Sequence, residues 1–185
     1  MDDHNGAGWR ILASSYPIAT PFLRLRSDVI ELPGGRIIEN YYVRETRGFA
    51  VIFALTTDGR VVLVRQYKHG AARSVLELPA GAIDDGETAV RCAKRELAEE
   101  TGYAGDEPER VGTYLADPTN SNGAFHLFLV RNAEPRAAQA LDETEDITVE
   151  FAALGDLRAL LRTGQINTGS HVASIYAVLD YLALL

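Results

Sequence analysis

Four side chains within six positions of the sequence could act together in catalysis: Arg95, Glu96, Glu99 and Glu100. On a helix, a rotation of about 100° per residue places the three glutamates on one narrow face. Like charges at this spacing cost an isolated helix roughly 0.2–0.5 kcal/mol per pair, and one arginine cannot neutralise three carboxylates. A hard divalent cation could, because Mg²⁺ prefers oxygen ligands and typically joins carboxylates to substrate phosphates. The acids alone leave two interpretations equally open: a metal-bound diphosphate site and a solvated acidic helix face.

The element that must position these glutamates is a helix with an apolar edge. Val90, Ala93 and Leu97 recur at spacings of three and four residues, so they predict a helix that packs on a core while its acids face outward. Gly102 follows the last acids, as expected for a C-terminal helix cap. This surrounding order favours the metal site over the solvated face.

The segment from Gly81 to Tyr103, GAIDDGETAVRCAKRELAEETGY, resembles the Nudix box. The family pattern is a glycine, five residues, a glutamate and seven residues. Arginine, glutamate, a bulky apolar residue, any residue, two glutamates, any residue, glycine and a bulky apolar residue then follow. The residues at these positions are Gly81, Glu87, Arg95, Glu96, Leu97, Glu99, Glu100, Gly102 and Tyr103. Only Tyr103 departs from the pattern, because it is aromatic where an aliphatic residue is usual.

The resemblance implies a role for each polar side chain of the box. The metal ligands would be Glu96, Glu99, Glu100 and the backbone carbonyl of Ala80, with Glu99 either a further ligand or a group that orients water. Glu87 would support the box structure or an outer metal ion, and Arg95 would fix a box glutamate through a bidentate pair. The implied cofactor is Mg²⁺ or Mn²⁺.

Residues outside the box resemble the ADP-ribose pyrophosphatase branch of the family. The passages VVLVRQYKHG and LELPAG precede the box, and Pro118 follows Gly102 by sixteen residues, where this branch carries a proline. The likeness covers most of the chain from Tyr41 onward. It implies hydrolysis of ADP-ribose or a related nucleoside diphosphate sugar to a nucleoside monophosphate and a sugar phosphate. The loop from Asp117 to Ala124 departs from the branch pattern, which leaves the sugar side of the substrate open.

Hydrolysis of a diphosphate needs a group that takes a proton from water near phosphorus. The candidates are Glu143 and Glu145 in the acidic loop DETED. The resemblance implies that this loop supplies the base, and Glu143 is the favoured residue of the two. Without the box, both would be interpreted as exposed loop acids.

The resemblance also implies contacts with substrate outside the box. Arg65 and Lys68 would hold phosphate or ribose, and Pro118 would belong to the substrate-binding loop. In this branch, N-terminal segments often exchange across a dimer, so Trp9 or Tyr16 would stack on the base bound to the partner chain. A small-molecule substrate and a homodimer are therefore expected.

Strand patterns predict two domains. Residues 1–47 contain extended segments with turns at Pro17, Pro21 and Pro33-Gly34-Gly35, which predict a small antiparallel sheet, assigned to dimerisation. Residues 48–185 would form the hydrolase domain, and Asp58-Gly59 marks a hairpin between two of its strands. Together with the resemblance, these patterns predict an α/β fold: a Nudix α/β/α sandwich with a mixed sheet, plus the N-terminal sheet.

Composition narrows the class of protein. The chain has 185 residues, 46% of them hydrophobic, and a formal net charge of −8. Nucleic acid is not an expected partner, because phosphate backbones are held by clustered Lys and Arg. No apolar run approaches the ~20 residues that span a bilayer, and the first residues are acidic where a secretory signal is basic. With one cysteine, Cys92, these features predict a cytoplasmic enzyme that binds no membrane.

Two other functions share the box. A nucleoside triphosphate pyrophosphohydrolase is usually shorter and lacks the N-terminal sheet and Pro118. A non-catalytic Nudix domain that senses a nucleotide sugar would be free to lose Glu96, Glu99 or Glu100, and all three are present. Both functions stay as alternatives at the level of sequence.

Overall fold

The structure is a computed structural model that describes residues 8–184. Contacts between residues divide the chain into two compact units. One holds residues 8–47 and Leu115–Gly123, and the other holds Gly48–Tyr114 and residues 124–184. The predicted domain limits, 1–47 and 48–185, stay a prediction, and residues 1–7 and 185 lie outside the described residues. Within residues 8–184, no helix is long and apolar enough to cross a bilayer.

The first unit contains three strands: β1 (Arg10–Ala19), β2 (Arg24–Glu31) and β3 (Ile37–Glu45). They form an antiparallel sheet in the order β1-β2-β3, which confirms the small sheet predicted from sequence. Most of the atypical loop also belongs to this unit, because the Arg44 N–H donates to the Asn120 carbonyl at 2.7 Å. The loop is therefore fixed to an N-terminal strand.

The larger sheet contains β4 (Phe49–Thr56), β5 (Arg60–Lys68), β6 (Arg73–Glu77), β7 (Ala80–Ala82), β8 (Tyr103–Ala104), β9 (Glu109–Leu115), β10 (Ala124–Pro135) and β11 (Ile147–Ala153). Its central order is β11-β5-β4-β10-β8, with β6 on β5, β7 on β4 and β9 on β10. β4 and β10 run parallel, whereas β5 runs antiparallel to both β4 and β11. The sheet is therefore mixed, as predicted.

Helices cover both faces of the larger sheet. They are α1 (Ala89–Thr101), α2 (Leu157–Arg162) and α3 (Gly169–Tyr181). Successive side chains of a strand point to opposite faces, and β4 shows this directly. Ile52 belongs to an apolar cluster with Leu97 of α1, and Phe53 belongs to another with Ile175 of α3. Fully burying such a side chain contributes about 1.5–3 kcal/mol to the stability of the fold. The helices on opposite faces of the sheet confirm the α/β/α sandwich.

Local hydrogen bonds fix both ends of α1. The Thr88 side chain caps the N-terminus by accepting a hydrogen bond from the Arg91 N–H at 3.3 Å. Gly102 follows the last residue with a φ of 73°, and its N–H donates to the Ala98 carbonyl at 2.8 Å. Sequence predicted this glycine cap. The helix that carries the glutamates therefore starts and stops at defined residues.

Candidate active site

The glutamates of α1 do not all face solvent, and this corrects the predicted outward acid face. Glu96 is 8% exposed and Glu100 is 3% exposed, whereas Glu99 is partly exposed. The reason is geometric. Glu96 and Glu100 continue the arc that Ala93 and Leu97 occupy around the helix, so α1 cannot bury that apolar edge without covering both acids.

The strand that leads into the box accommodates the two buried carboxylates. A Cβ on Gly81 would overlap the carboxyl group of Glu96, so a glycine allows Glu96 to lie against β7. The Ala80 N–H donates to Oε2 of Glu100 at 2.9 Å. The carbonyl of Pro79 accepts a hydrogen bond from β4 at 2.9 Å, which holds this strand on the sheet. The LPAG sequence therefore positions both acids.

Arg95 binds three of the box glutamates. Its Nε and Nη2 donate to the two carboxylate oxygens of Glu87 at 3.0 and 2.9 Å, which is a bidentate pair. Its Nη1 donates to Glu96 at 2.7 Å and to Glu99 at 3.0 Å. The structure thus contains the predicted contact of Arg95 with box glutamates, and the bidentate partner is Glu87.

Burial raises the proton affinity of the two inner carboxylates. The pKa of Glu100 rises to about 8, mainly because the group is buried, and the charges of Glu96 and Glu145 add to the rise while Lys68 opposes it. Burial also raises the pKa of Glu96, although Arg95 acts in the opposite direction. Glu96 thus raises the pKa of Glu100, and two such buried acids form a site that attracts a cation.

The acidic loop between β10 and β11 brings Glu145 close to this pair. The charge of Glu145 acts on both Glu96 and Glu100. Oε2 of Glu145 accepts the Asp142 N–H at 3.0 Å, which folds the side chain back over its own turn. Glu143 is exposed on the same turn. The structure therefore links Glu145 to the buried carboxylates, whereas the sequence favoured Glu143.

The two cations predicted to hold substrate lie on β5 in different surroundings. Arg65 forms an ion pair with Glu150 of β11, with Nη2 donating to Oε2 at 3.1 Å. Nζ of Lys68 lies 3.9 Å from the buried carboxylate of Glu77, and its charge lowers the pKa of Glu100. The charge of Lys68 therefore acts on the buried acid Glu100. Arg65 is instead held by its ion pair with Glu150 on the neighbouring strand, β11.

Three other predicted substrate contacts belong to the first unit. The Trp9 ring meets the Tyr41 ring edge-on, with centroids 5.6 Å apart. The Tyr16 hydroxyl donates to Glu45 at 3.2 Å. Pro118 is exposed in the segment bonded to β3. The substrate roles of Trp9, Tyr16 and Pro118 stay predictions.

Comparison with known proteins identifies the family of this chain. The family model of the NUDIX domain matches residues 44–170. The chain belongs to the Nudix family. A second model, the nucleoside diphosphate sugar hydrolase N-terminal domain, matches residues 9–43, which contain β1, β2 and most of β3. Both parts of this Nudix protein therefore have counterparts in known families.

Individual relatives of this Nudix chain bear different names. The methanol dehydrogenase activator of Bacillus methanolicus is 29% identical and aligns over 83% of this chain and 83% of its own. The ADP-ribose pyrophosphatase of Bacillus subtilis (strain 168) is 29% identical over 84% of this chain and 82% of its own. The crystal structure of an ADP compounds hydrolase superposes with a TM-score of 0.83 at 20% identity, covering 95% of this chain and 94% of that one. This last likeness establishes the Nudix fold.

Nudix hydrolases generally use divalent metal ions, and the donors present fit such an ion. The buried carboxylates of Glu96 and Glu100 offer oxygen ligands, which hard divalent cations prefer. Within residues 8–184, no three Asp, Glu, His or Cys side chains are gathered into a ready-made ligand set. Glu96 and Glu99 instead both accept hydrogen bonds from Nη1 of Arg95. The carboxylates of Glu96 and Glu100 are complementary in charge to a cation.

Sequence reasoning missed residues that hold this site from distant parts of the chain. His171 of α3 is buried, and its Nδ1 accepts the Leu78 N–H at 3.2 Å. Nε2 of Gln139 donates to the Glu100 carbonyl at 2.6 Å. Neither residue stands in a recognisable pattern, because its partner is far away in sequence. Only the tertiary structure reveals these contacts.

Proposed function

We propose that the protein uses a divalent metal ion to hydrolyse the diphosphate of ADP-ribose or a related nucleoside diphosphate sugar. The products would be a nucleoside monophosphate and a sugar phosphate. The observation that carries the proposal is the pair of buried carboxylates, Glu96 and Glu100, held against β7 within a complete Nudix box. The family of the N-terminal residues supports the substrate class, and so does the name of the Bacillus subtilis relative.

We assign metal binding to Glu96, Glu99, Glu100 and the Ala80 carbonyl, and the ion to Mg²⁺ or Mn²⁺. When bound, such an ion polarises phosphate oxygens and acidifies a coordinated water molecule. Arg95 orients Glu96 and Glu99 through its Nη1, and Glu87 in turn holds Arg95 by the bidentate pair. Lys68 adds a fixed positive charge beside the acids, which favours an anionic diphosphate.

We infer that Glu145 is the general base. Support comes from the charge of Glu145, which raises the pKa of both buried carboxylates. A carboxylate within hydrogen-bond reach of the attacking water takes its proton as the bond to phosphorus forms, and such a base typically contributes about 10²–10⁴-fold to the rate. Glu143 is the alternative on the same turn.

A substrate survey tests the proposed function. The purified protein is incubated with Mg²⁺, and separately with EDTA, against ADP-ribose, GDP-mannose, UDP-glucose, NADH, coenzyme A and nucleoside triphosphates. We expect metal-dependent release of a nucleoside monophosphate and a sugar phosphate from at least one diphosphate sugar. A preference for nucleoside triphosphates would contradict the proposal. Tight binding of a nucleotide sugar without turnover would contradict it as well and would identify a sensor.

We also propose that the first unit mediates a homodimer, in which Trp9 or Tyr16 stacks on the base of substrate bound by the partner chain. Support comes from β1, which is exposed along its whole length. Ile11 is 55% exposed and Phe22 is 96% exposed, which is typical of an interface when such residues cluster. The proposed location is the cytoplasm, with which the single cysteine, Cys92, is consistent.

A further inference from the structure

The end of α1 is bonded to the segment that leads into the acidic loop. The last four carbonyls of a helix have no partner inside the helix and need donors from elsewhere. The Glu99 carbonyl accepts the Ala140 N–H at 2.9 Å. The Glu100 carbonyl is bonded by a side chain, because Nε2 of Gln139 donates to it at 2.6 Å. The base of the loop is therefore attached to two of the three residues whose carboxylates we assign to metal binding.

The same amide nitrogen reaches the other end of the loop. Nε2 of Gln139 also donates to the Ile147 carbonyl at 3.1 Å, and Ile147 is the buried first residue of β11. Both partners are carbonyl oxygens, which only accept hydrogen bonds, so the nitrogen of the amide must face them. One NH₂ group therefore joins the end of α1 to the start of β11. Residues 140–146, which carry Glu143 and Glu145, form the loop between these two attachments.

We propose that Gln139 is the positioning residue of the acidic loop: by joining the Glu100 and Ile147 carbonyls, it fixes Glu145 relative to the carboxylates of Glu96 and Glu100. The inference rests on the proposed function, in which Glu145 is the base. Gln139 acts through the loop and touches no reacting atom. Because one attachment is the backbone of Glu100 itself, loss of the bond would alter the distance between base and metal ligands. A misplacement of about 1 Å costs roughly 100-fold in rate.

Two variants of Gln139 and one control separate positioning from stability. Gln139→Leu keeps the approximate size and removes both donors. Gln139→Lys keeps N–H donors and adds a positive charge, which is favourable at a helix C-terminus. Gln165→Leu is the control, because the amide of Gln165 donates to Thr163 at 3.2 Å in the connection between α2 and α3. All three are compared with the wild type for kcat, KM, thermal midpoint and pH–rate profile.

We expect Gln139→Leu to lower kcat by about tenfold to a hundredfold, with little change in KM or thermal midpoint. The difference in kcat between Gln139→Leu and the wild type should become smaller at high pH, because hydroxide ion in solution then does the work of the misplaced base. Gln139→Lys should recover most of kcat, and Gln165→Leu should leave it unchanged. A wild-type kcat in Gln139→Leu would overturn the inference. So would a loss that follows the unfolded fraction, because the role would then be structural.

Hydrogen exchange provides a measurement that needs no substrate. We expect the backbone amides of residues 140–146 to exchange faster in Gln139→Leu, while those in the middle of α1 keep their protection. Inactivity of the wild type toward every compound would overturn the proposed function alone, and the role of Gln139 would then be decided by exchange. Unchanged exchange across residues 140–146 would overturn the role of Gln139 whatever the activity.

Discussion

Glu96 and Glu100 are buried acids, and the burial of a carboxylate opposes folding. Moving a carboxylate out of water costs several kcal/mol, and burial raises the pKa of both groups. A bound cation would lower that cost. We therefore expect the pair to favour cation binding at the expense of stability.

Replacement of Glu100 by glutamine tests whether the buried charge serves metal binding at the expense of stability. Glu100→Gln keeps the shape and an acceptor for the Ala80 N–H but removes the charge. We expect turnover to fall by orders of magnitude, the metal-free thermal midpoint to stay level or rise, and the increase in midpoint caused by Mg²⁺ to disappear. Glu107→Gln is the control, because Glu107 is exposed in an ion pair with Lys94. Near wild-type turnover in Glu100→Gln would show that the metal assignment is wrong.

Glu143 and Glu145 can be distinguished because they occupy one turn of the same loop. The charge of Glu145 raises the pKa of both buried carboxylates, so Glu145→Gln should lower kcat by about 10²–10⁴-fold. Glu143→Gln should stay within a few-fold of wild type. The reverse ranking would support the residue that the sequence favoured. Rates at saturating substrate and metal, measured for both variants in parallel, decide between them.

At the scale of elements, the sequence predicted α1 well and misjudged its orientation. The apolar spacing and the Gly102 cap indicated a helix and its end, because both signals are local. The burial of Glu96 and Glu100 is not local, since it depends on β7 lying against that side of the helix. A glycine at position 81 hinted at such a close approach, but its meaning required knowledge of the atoms that meet it.

Replacing either of two box glycines by alanine should therefore have different effects on activity and on stability. In Gly81→Ala the new Cβ meets the flexible carboxyl group of Glu96, which can move aside, so we expect activity to fall while the thermal midpoint changes little. In Gly102→Ala the Cβ meets the backbone carbonyl of Ala137, and the φ of 73° is strained for alanine, so stability should fall by about 1–3 kcal/mol. Thermal unfolding and kcat are measured for both. Equal losses of stability would contradict the distinction.

At the scale of the whole molecule, the Nudix sandwich could be predicted and its long-range supports could not. The box, the hairpin turn and the strand patterns are short-range signals, and they gave the layers correctly. Gln139 bonds to the Glu100 carbonyl, 39 residues away, and His171 to the Leu78 N–H, 93 residues away, so no spacing in the sequence indicated these contacts. His171 in particular connects α3 to the segment that precedes β7.

His171 should make the stability of the fold depend on pH. Burial lowers its pKa to about 4 from an ordinary 6.5, with Lys68 acting in the same direction and Glu77 against it. Below about pH 6.5 the unfolded chain therefore binds a proton that the folded chain does not. The free energy of unfolding should fall as pH drops from about 6.5 to about 4, by at most about 1.4 kcal/mol per pH unit. Above pH 6.5 this contribution is fully present.

Urea unfolding at several pH values between 4 and 7 measures this slope. His171→Asn keeps an acceptor for the Leu78 N–H and cannot be protonated, so the stability of this variant should depend less on pH than that of the wild type. His69→Asn, at an exposed position, is the control measured in parallel. If His171→Asn and the wild type lost stability equally on acidification, the titration of His171 would not be responsible.

The exposed strand of the first unit leads to a prediction about the assembled molecule. If β1 forms a homodimer, the mass in solution should be twice the 20.2 kDa of one chain. Ile11→Lys places a charge on the exposed apolar surface, so it should yield monomers, and Tyr176→Lys on α3 should not. If Trp9 or Tyr16 acts on the partner's substrate, the monomeric variant should raise KM more than it lowers kcat. A wild-type protein that is monomeric at assay concentration would remove both the dimer and the stacking role.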